Sequence, residues 1–179
     1  MGEPLNQRGF FTKYLKEQPK PIKMAEIGVW KSSLAKRLLK NAGDKVSEYW
    51  AIDRWNLLPR EYGRMHHRTM ENWDEMYWYA CSLSIWFPQL HVARMDSEDA
   101  AKLFPDGYFD LVFIDSDHYY EAVKKDIPLW LPKVRKGGIL SGHDYASKRH
   151  PGVEKAVKEI FGDDFYIAKD TWIWIKEVK

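Results

Sequence analysis

The segment FDLVFID at residues 109–115 decides the fold of this 179-residue chain. Its nearly continuous aromatic and branched apolar side chains are typical of a strand that is buried on both faces, as in a parallel sheet. A helical pattern follows at 120–131, and the double glycine Gly137-Gly138 then leads into a short apolar run at 139–141. Strand, helix and strand therefore follow one another, which predicts an α/β arrangement.

The same alternation extends in both directions from this segment. The three strands predicted before it each end at a glycine or an acid, namely 22–27 before Gly28, 48–52 before Asp53 and 91–95 before Asp96. Further helices are predicted at 6–16, 33–40, 98–103 and 153–161. The final strands, 165–168 and 171–175, are joined by only two residues, which is too short for a parallel crossover. We therefore predict a doubly wound, Rossmann-like, seven-stranded sheet that is mostly parallel and ends in an antiparallel hairpin.

The composition bounds the class of protein. A chain of this length suits one domain, so we expect 1–179 to form a single unit. Lys and Arg number 28 against 26 Asp and Glu, and this balance gives no electrostatic support for nucleic-acid or membrane binding. Cys81 is the only cysteine, which excludes an intrachain disulfide and favours a reducing compartment. No stretch has the apolar length of a signal peptide or a membrane span, so we expect a cytoplasmic protein.

Two segments lie outside the regular alternation. Residues 1–20 hold the leading helix, and 55–88 is much longer than an ordinary connection, so it is expected to contain extra helix. Its aromatic stretch at 70–86 fits core packing, and it also fits a lid over a substrate. Some tryptophans of the insertion and of the loop after the first strand are candidates for lining a binding surface instead of packing: Trp30, Trp55, Trp73, Trp78 and Trp86.

The polar and glycine residues at the strand ends are candidate ligand-binding groups. In open α/β sheets, ligands bind beyond the carboxyl ends of the strands, where Glu26, Gly28, Asp53 and Asp96 would meet. Gly28 has no side chain, so the backbone after it can approach a ligand closely. Asp53 is placed to accept hydrogen bonds from two ribose hydroxyls and Asp96 to reach an adenine edge. Asp96 and Ser97 could instead cap the helix that follows.

These strand ends, together with FDLVFID and the double glycine, resemble those of the class I S-adenosylmethionine-dependent methyltransferases from about Lys23 to the C-terminus. The resemblance implies S-adenosylmethionine as the cofactor and accounts for the terminal hairpin, because the sheet of that family ends with an antiparallel strand. A second glycine is frequent in that family where this chain has Ser32. The residues expected around the cofactor are Glu26, Gly28 and Ser32 for methionine, Asp53 for ribose, Asp96 and Ser97 for adenine, and Asp115.

A narrower resemblance comes from DSDHYY at 115–120 and GHDY at 142–145. Both are similar to segments of small methyltransferases of glycans and natural-product sugars, including metal-dependent macrolide-sugar O-methyltransferases. The resemblance implies a divalent ion, Mg²⁺ or another, on Asp115 and Asp144, with His143 where the family can place an acid. It also implies His118 as the catalytic base beside Asp115, and a small molecule or saccharide as the acceptor. The face of such a sugar is a candidate for stacking on the tryptophans named above. An alcohol gains nucleophilicity from a base near pKa 7 and from a cation, which suits these residue types.

Two other functions stay open at this point. An NAD-dependent Rossmann-type oxidoreductase has the same architecture, but the loop after the first strand is GVWKSS at 28–33 and lacks the G-x-G-x-x-G fingerprint. A catalytically silent cofactor- or partner-binding module is the second, in which the aromatic stretch at 70–88 would be an interaction face. The methylated atom and the formation of a homo-oligomer are also left open by the sequence.

Overall fold

The strand predicted at residues 109–115 lies at the centre of the sheet in the computed structural model, which describes residues 7–57, 67–169 and 171–179. The strands are β1 (Ile22–Ile27), β2 (Val46–Asp53), β3 (Leu90–Arg94), β4 (Phe109–Ile114), β5 (Val134–Gly142), β6 (Tyr166–Ile167) and β7 (Trp174–Glu177). The helices are α1 (Gln7–Lys16), α2 (Ser33–Ala42), α3 (Met70–Leu83), α4 (Ser97–Ala101), α5 (Tyr120–Trp130) and α6 (Pro151–Phe161).

Within the described residues the sheet has the order β3-β2-β1-β4-β5-β7-β6. The first five of these strands are mutually parallel, whereas β7 pairs antiparallel with both β5 and β6. The chain progresses outward from β1 in one direction and then from β4 in the other, so the strand order reverses between these two strands. The predicted α/β, seven-stranded, mostly parallel sheet with a C-terminal antiparallel hairpin is confirmed, and the β1–β4 crevice is its switch point.

Two helical layers cover the sheet. The helices α1, α2 and α3 pack on one face and α4, α5 and α6 on the other, and each layer has its own buried apolar cluster. The predicted leading helix is held by Phe11, whose ring meets that of Phe113 edge-on at 4.7 Å between centroids. Burying one such side chain contributes about 2–3 kcal/mol. The first residue predicted for this helix, Asn6, lies outside the described residues.

Some element boundaries differ from the prediction for identifiable reasons. β5 begins at Val134 instead of residue 139 because Gly137, at φ 74°, and Gly138 let the strand continue through an irregular pairing with β4. A Cβ on Gly138 would lie 2.6 Å from the Asp110 carbonyl oxygen, so a glycine is required there. β7 begins later than predicted because the Thr171 hydroxyl donates to the Ala168 carbonyl and closes a turn first.

The 55–88 insertion contains the extra helix that was expected. α3 begins with a capping box, in which the Thr69 hydroxyl and the Asn72 side chain satisfy each other's backbone N–H groups. One side of α3 buries Trp73 against the sheet, while Trp78 and Trp86 are 65% and 78% exposed. Residues 58–66 of this insertion lie outside the described residues. Among the helices described, none combines the length and apolar character needed to cross a membrane.

Candidate active site

A cavity of about 930 Å³ opens at the switch point, beyond the carboxyl ends of β1, β2, β4 and β5. The fold itself explains its position, because parallel strands that diverge from a reversal point leave a crevice at that end. The predicted site residues that line it are Glu26, Gly28, Asp53, Asp96, Ser97, Asp115, His118, His143 and Asp144. The topology thus brings together residues that are up to 118 positions apart in the chain (144 − 26).

Ser32 is the predicted site residue that the structure does not bring to the cavity wall, where Ser33 and Leu34 stand instead. Its side chain is 1% exposed and its hydroxyl has no hydrogen-bond partner among the described residues. The left-handed backbone at Ser32, with φ 55°, starts α2, and the Ser32 carbonyl accepts from Lys36 N–H. This turn gives Ser32 a role in starting the helix, and the expected contact with the methionine part of a cofactor is not supported by its burial.

Gly28 is required by its protein neighbours. It has φ 90°, and a Cβ there would lie 2.4 Å from the carbonyl oxygen of Asp115 and 2.5 Å from the Cα atom of Ser116. The sequence pattern was interpreted as close approach of the backbone to a ligand. The structure adds that the end of β1 lies against the end of β4, so the glycine also holds two cavity walls together.

Asp53 fastens two loops at once. One carboxylate oxygen, Oδ2, accepts from the backbone N–H groups of Val29 and Trp30, and Oδ1 accepts from Trp55 N–H, all at 2.8 Å. Trp30 and Trp55 have φ angles of 50° and 37°, a left-handed backbone that is strained for a tryptophan. The indole N–H of Trp55 donates to the Trp30 carbonyl at 2.9 Å, which ties the loops together again. Since a carboxylate has about four acceptor positions, Asp53 keeps little capacity for a ribose.

Glu26 lies at the floor of the cavity and is 2% exposed. One of its oxygens accepts a hydrogen bond from the Tyr49 hydroxyl at 2.6 Å. Burial, together with the charge of Glu26, raises the pKa of Tyr49 well above its ordinary value, so the phenol stays a donor. The carboxylate is therefore oriented by the neighbouring strand β2, which is the kind of support that a ligand-binding acid needs.

The opposite wall contains a buried network that sequence reasoning missed. The Asp126 carboxylate, on α5, accepts from the hydroxyls of Ser97 and Ser116 at 2.7 Å each, and the Ser97 hydroxyl also accepts from the Trp130 indole N–H at 2.8 Å. Burial raises the pKa of Asp126, and the two hydroxyl donors oppose that effect. Ser97 thus uses its hydroxyl within the protein. The sequence carried one signal for Asp126, an acid on the otherwise apolar face of α5.

Asp96 stands at the start of α4 and makes no side-chain capping hydrogen bond among the described residues. Its side chain is 67% exposed and lies 3.9 Å from Arg54 Nε, while another nitrogen of Arg54 contacts the Asp117 carboxylate at 2.6 Å. The capping alternative raised for Asp96 is therefore not supported. Arg54 links the ends of β2, β3 and β4 across this side of the cavity.

Acids and imidazoles converge at the other end of the cavity, after β4 and β5. His118 Nε2 lies 2.8 Å from Asp144 Oδ2 and 3.3 Å from Asp115 Oδ1. His143 Nδ1 lies 3.6 Å from Asp115 Oδ1 and 3.5 Å from Asp144 Oδ2. Asp144 has φ 58°, a strained backbone that directs its carboxylate at the end of β5. The sequence-predicted catalytic and metal residues therefore form one group, which we call the His-Asp cluster.

His150 completes the His-Asp cluster and was not assigned from the sequence. Its ring lies 4.5 Å from that of His118 between centroids, and its Nε2 atom is 4.0 Å from Asp144 Oδ2. This contact depends on Gly152, where a Cβ would lie 2.6 Å from Tyr120 N. The glycine lets the start of α6 approach the start of α5, and His150 immediately precedes α6.

The charges of the His-Asp cluster are strongly coupled. Burial lowers the pKa of His118, but Asp115 and Asp144 outweigh it and raise the pKa to about 9. The pKa of His143 is raised in the same way, against the effect of its burial. Burial raises the pKa of Asp144, but the two histidines outweigh that effect and hold it well below its usual range. Burial and the neighbouring His118 lower the pKa of His150. The two carboxylates therefore favour the protonated form of His118.

Comparison with known proteins fits this geometry. The sequence model of a family described as a methyltransferase domain matches residues 25–145, more than half of the chain. The chain belongs to this methyltransferase family. The match runs from β1 to the residue after Asp144, so it contains every strand end that lines the cavity.

The curated relatives share only part of their length with this chain. An uncharacterized protein of Sinorhizobium fredii is 29% identical over 112 residues, which cover 61% of this chain and 11% of that protein. An uncharacterized protein of Acanthamoeba polyphaga mimivirus is 36% identical over 78 residues, which cover 41% of this chain and 35% of that protein. The chain therefore matches about a tenth and about a third of the length of these relatives.

Solved structures show that the chain has the fold of S-adenosylmethionine-dependent methyltransferases. One such enzyme from Aquifex aeolicus matches with a TM-score of 0.60 at 15% identity, covering 96% of this chain and 88% of that one. The MycE methyltransferase of mycinamycin biosynthesis, in complex with Mg and S-adenosylhomocysteine, matches with a TM-score of 0.59 at 12% identity, covering 95% and 48%. The CurJ carbon methyltransferase matches with a TM-score of 0.57 at 12% identity, covering 94% and 51%. These structural matches establish the fold, and at such low identities they do not carry over a methyl acceptor.

The donor atoms of the His-Asp cluster can be compared with what Mg²⁺ requires. Mg²⁺ prefers near-octahedral oxygen ligands, whereas imidazole nitrogen suits transition dications. The His-Asp cluster offers two carboxylates, from Asp115 and Asp144, and three imidazoles, from His118, His143 and His150. The residues present fit a dication of the transition series, and they do not fit the all-oxygen preference of Mg²⁺.

Proposed function

We propose that the protein is an S-adenosylmethionine-dependent methyltransferase that methylates a hydroxyl oxygen of a small molecule, such as a sugar. One observation carries this proposal: a single cavity joins the strand ends expected to bind the cofactor to the His-Asp cluster. Its volume of about 930 Å³ is near the upper end of ordinary ligand pockets, about 300–1,000 Å³, and so leaves room for an acceptor beside a cofactor.

The cofactor half of the cavity is lined by Glu26, Gly28, Asp53 and Asp96. When bound, S-adenosylmethionine supplies a methyl carbon on a positively charged sulfur, whose C–S electron pair leaves on sulfur as the new O–C bond forms. The protein has to align the acceptor oxygen with that carbon and sulfur, so rigid walls are an advantage. The Asp53 hydrogen bonds to two loops and the β1–β4 contact at Gly28 provide such walls.

The acceptor half contains the groups that can take the hydroxyl proton. A general base must reach the proton that it removes, within about 3 Å or through one water. His118 Nε2 is buried between Asp115 and Asp144, which argues against the base role expected for it from the sequence. His150 has a side chain 39% exposed and lines the cavity, so we assign it as the proton acceptor.

Metal assistance belongs to the same proposal. Asp115, Asp144 and His143 would hold a dication at the acceptor end, where it would stabilise the forming alkoxide. These residues follow β4 and β5 directly, so two central strands fix their positions. Asp115 also closes the cofactor half, because its backbone lies against Gly28.

Two of the five candidate tryptophans lie at the cavity. Trp30 and Trp73 line the cavity, and Trp30 is 43% exposed. Trp55 is fully buried, while Trp78 and Trp86 lie on the outer surface of α3 and the turn that follows it. Of the five tryptophans that the sequence suggested, we therefore retain Trp30 as the one that stacks on the face of a sugar.

A methyl-transfer assay on a panel of sugars and other hydroxyl compounds tests this proposal. We expect S-adenosylhomocysteine release with at least one acceptor, and a loss of about 10²–10⁴ in kcat for His150→Gln with cofactor binding unchanged. His91→Gln is the matched control, because His91 stacks on Trp50 in the sheet at 4.6 Å and lies outside the cavity wall. Cofactor binding without release on any acceptor would favour the silent module, and full activity of His150→Gln would remove the assigned base.

A further inference from the structure

We infer that the His-Asp cluster is a transition-metal site in which His118 is a ligand, and that it selects Mn²⁺, Fe²⁺, Co²⁺ or Zn²⁺ over Mg²⁺. The donor atoms are His118 Nε2, His143 Nδ1, Asp115 Oδ1 and Asp144 Oδ2. The inference rests on the proposed function for its chemical purpose, and it is tested by metal binding without turnover.

Four of the six separations among these atoms are those of ligands around one ion, and Asp115, His118 and His143 offer donor atoms that all lie within 4.8 Å of one another. Adjacent atoms bonded to a metal at about 2.1 Å lie roughly 3.0 Å apart in octahedral geometry and roughly 3.4 Å apart in tetrahedral geometry. The measured separations are 2.8 and 3.3 Å from His118 Nε2 to Asp144 and Asp115, and 3.5 and 3.6 Å from His143 Nδ1 to the same oxygens. Both imidazole nitrogens therefore lie at ligand distance from both carboxylate oxygens.

An independent observation concerns the hydrogen-bonding state of His118. Its Nε2 atom is buried, and it makes no well-directed hydrogen bond within the part of the chain that the structure describes, although two carboxylate oxygens are within 3.3 Å. Buried polar atoms are normally hydrogen-bonded, whereas this one lies in two ion pairs without a well-directed hydrogen bond. Donor atoms that are this close without such a bond between them suit ligands that share a common ion.

The chemistry of the donors decides which ions fit. Two imidazoles and two carboxylates form a mixed nitrogen and oxygen set, which first-row transition dications bind well. Mg²⁺ loses its water reluctantly and is usually bound by carboxylates together with retained waters. The position that distinguishes this chain is His143, which stands next to Asp144 where an acid would complete an oxygen site.

The backbone holds the four ligands before any ion arrives. Asp115 and His143 directly follow β4 and β5, which are neighbouring parallel strands, and His143 N–H donates to the Ile114 carbonyl at 3.2 Å. A Cβ on Gly142 would lie 2.5 Å from the Trp174 ring, so the end of β5 is fixed against β7. Ligands preorganised in this way lose little entropy when they bind an ion.

His150 lies just outside this set and supplies a matched control. Its Nε2 atom is 4.0 Å from Asp144 Oδ2, which is longer than each of the four separations above. His150 also offers a donor atom within 4.8 Å of those of His118 and Asp144. Because its side chain is 39% exposed, more than that of any of the four proposed ligands, we place His150 beside the ion, facing the acceptor, and not among the ligands. We expect removal of the His150 side chain to change metal affinity by less than about threefold relative to the parent protein. By contrast, mutation of a residue that supports a metal ligand usually weakens metal affinity about 10–100-fold.

The experiment titrates the chelator-treated protein with Co²⁺ and follows the visible absorption of the bound ion. We expect one Co²⁺ per chain, displacement by equimolar Zn²⁺, and no displacement by about a hundredfold excess of Mg²⁺. His118→Ala and His143→Ala should each weaken Co²⁺ binding at least about a hundredfold, while His150→Ala and the distant His91→Ala bind as the parent does. Circular dichroism and a thermal shift with S-adenosylhomocysteine on the same samples show that each variant is folded.

Three results would overturn the inference: equal competition by Mg²⁺, parental Co²⁺ affinity in folded His118→Ala, or a loss in His150→Ala as large as that in His143→Ala. Failure of the proposed function would look different. In that case S-adenosylhomocysteine would not bind the parent protein, while the Co²⁺ titration and the pattern of the variants would stay as expected. For a variant that does not fold, His118→Gln repeats the measurement with a side chain of similar size.

Discussion

Replacement of Asp53 by Asn tests whether this carboxylate holds the cavity together in the absence of ligand. Asn keeps one oxygen, which can serve the N–H groups of Val29 and Trp30, and it presents an NH₂ group to the N–H of Trp55. One charge-assisted hydrogen bond is lost and two become neutral. Two donors also face each other at the Trp55 loop.

The loss can be sized from these bonds. Removing one hydrogen bond to a charged group costs about 1.5–3 kcal/mol, and neutral bonds are about half as strong as charge-assisted ones. Partial exposure of the Trp30 bond and relief of strain at Trp30 and Trp55 reduce the total. We expect Asp53→Asn to lower the free energy of unfolding by about 2–4 kcal/mol, or on the order of 5–15 °C in Tm.

The assay is urea unfolding followed by tryptophan fluorescence, combined with amide hydrogen exchange of the two loops. The exchange of Val29, Trp30 and Trp55 should accelerate selectively, because their N–H groups lose their acceptor. Asp96→Asn is the matched control, since Asp96 also ends a strand at the cavity but is mostly exposed. It should change stability by less than about 0.5 kcal/mol.

Equal stabilities of Asp53→Asn and Asp96→Asn, within about 0.5 kcal/mol, would refute this reasoning. Asp53 would then act only on a bound ligand, as its position in the sequence first suggested. A loss of stability without faster exchange at the two loops would also contradict the assigned mechanism.

Three further perturbations follow from the geometry. Gly28→Ala should lower the free energy of unfolding by about 3–5 kcal/mol, because Gly28 has φ 90° and the new Cβ would meet the backbone that follows β4. Gly162→Ala is the control: its Cβ would have no described atom within 4 Å, so it should lower the free energy by about 1–2 kcal/mol. Equal losses of the two variants in urea unfolding would contradict the contact at Gly28. Burial raises the pKa of Glu48, but hydrogen bonds from a lysine, a tyrosine and a tryptophan outweigh it and lower the pKa to about 2. The ionised Glu48 therefore stabilises the folded protein above the unfolded pKa of about 4.5, and this stabilisation is lost as the pH falls towards 2. The stability gap between the parent and Glu48→Gln, about 1–2 kcal/mol at pH 7, should therefore shrink below pH 4.5, and a constant gap would exclude this linkage. Trp30→Ala should raise the KM for a saccharide acceptor about tenfold and leave the affinity for S-adenosylhomocysteine unchanged, because Trp30 lines the cavity. Trp86→Ala is the control on the outer surface. An unchanged KM in Trp30→Ala would show that Trp30 serves packing instead.

Much of the fold could be predicted because the information is local. A run such as FDLVFID is compatible with few structures other than a buried strand, and short connections restrict how strands can pair. Once the order of strands follows from this alternation, their carboxyl ends share one edge, so Glu26, Asp53, Asp115 and Asp144 could be grouped without any coordinates.

The parts that were missed depend on contacts between distant segments or on unusual backbone. His150 joins the His-Asp cluster only because Gly152 lets α6 approach α5. The sequence places Asp126 on a helix but does not show that hydroxyls from two different strand ends, Ser97 and Ser116, donate to its carboxylate. The loop-fastening role of Asp53 needs left-handed backbone at two tryptophans, which no sequence pattern predicts for residues with a side chain.

The central claim is that the cavity at the β1–β4 switch point binds S-adenosylmethionine. Thermal unfolding of the parent protein with S-adenosylmethionine, S-adenosylhomocysteine and NADH, checked by calorimetric titration, tests it directly. Since a ligand at a hundredfold excess over its Kd stabilises a native protein by about 2.7 kcal/mol, we predict a clear rise in Tm with the first two compounds and none with NADH. Stabilisation by NADH alone, or by none of the three, would contradict the account.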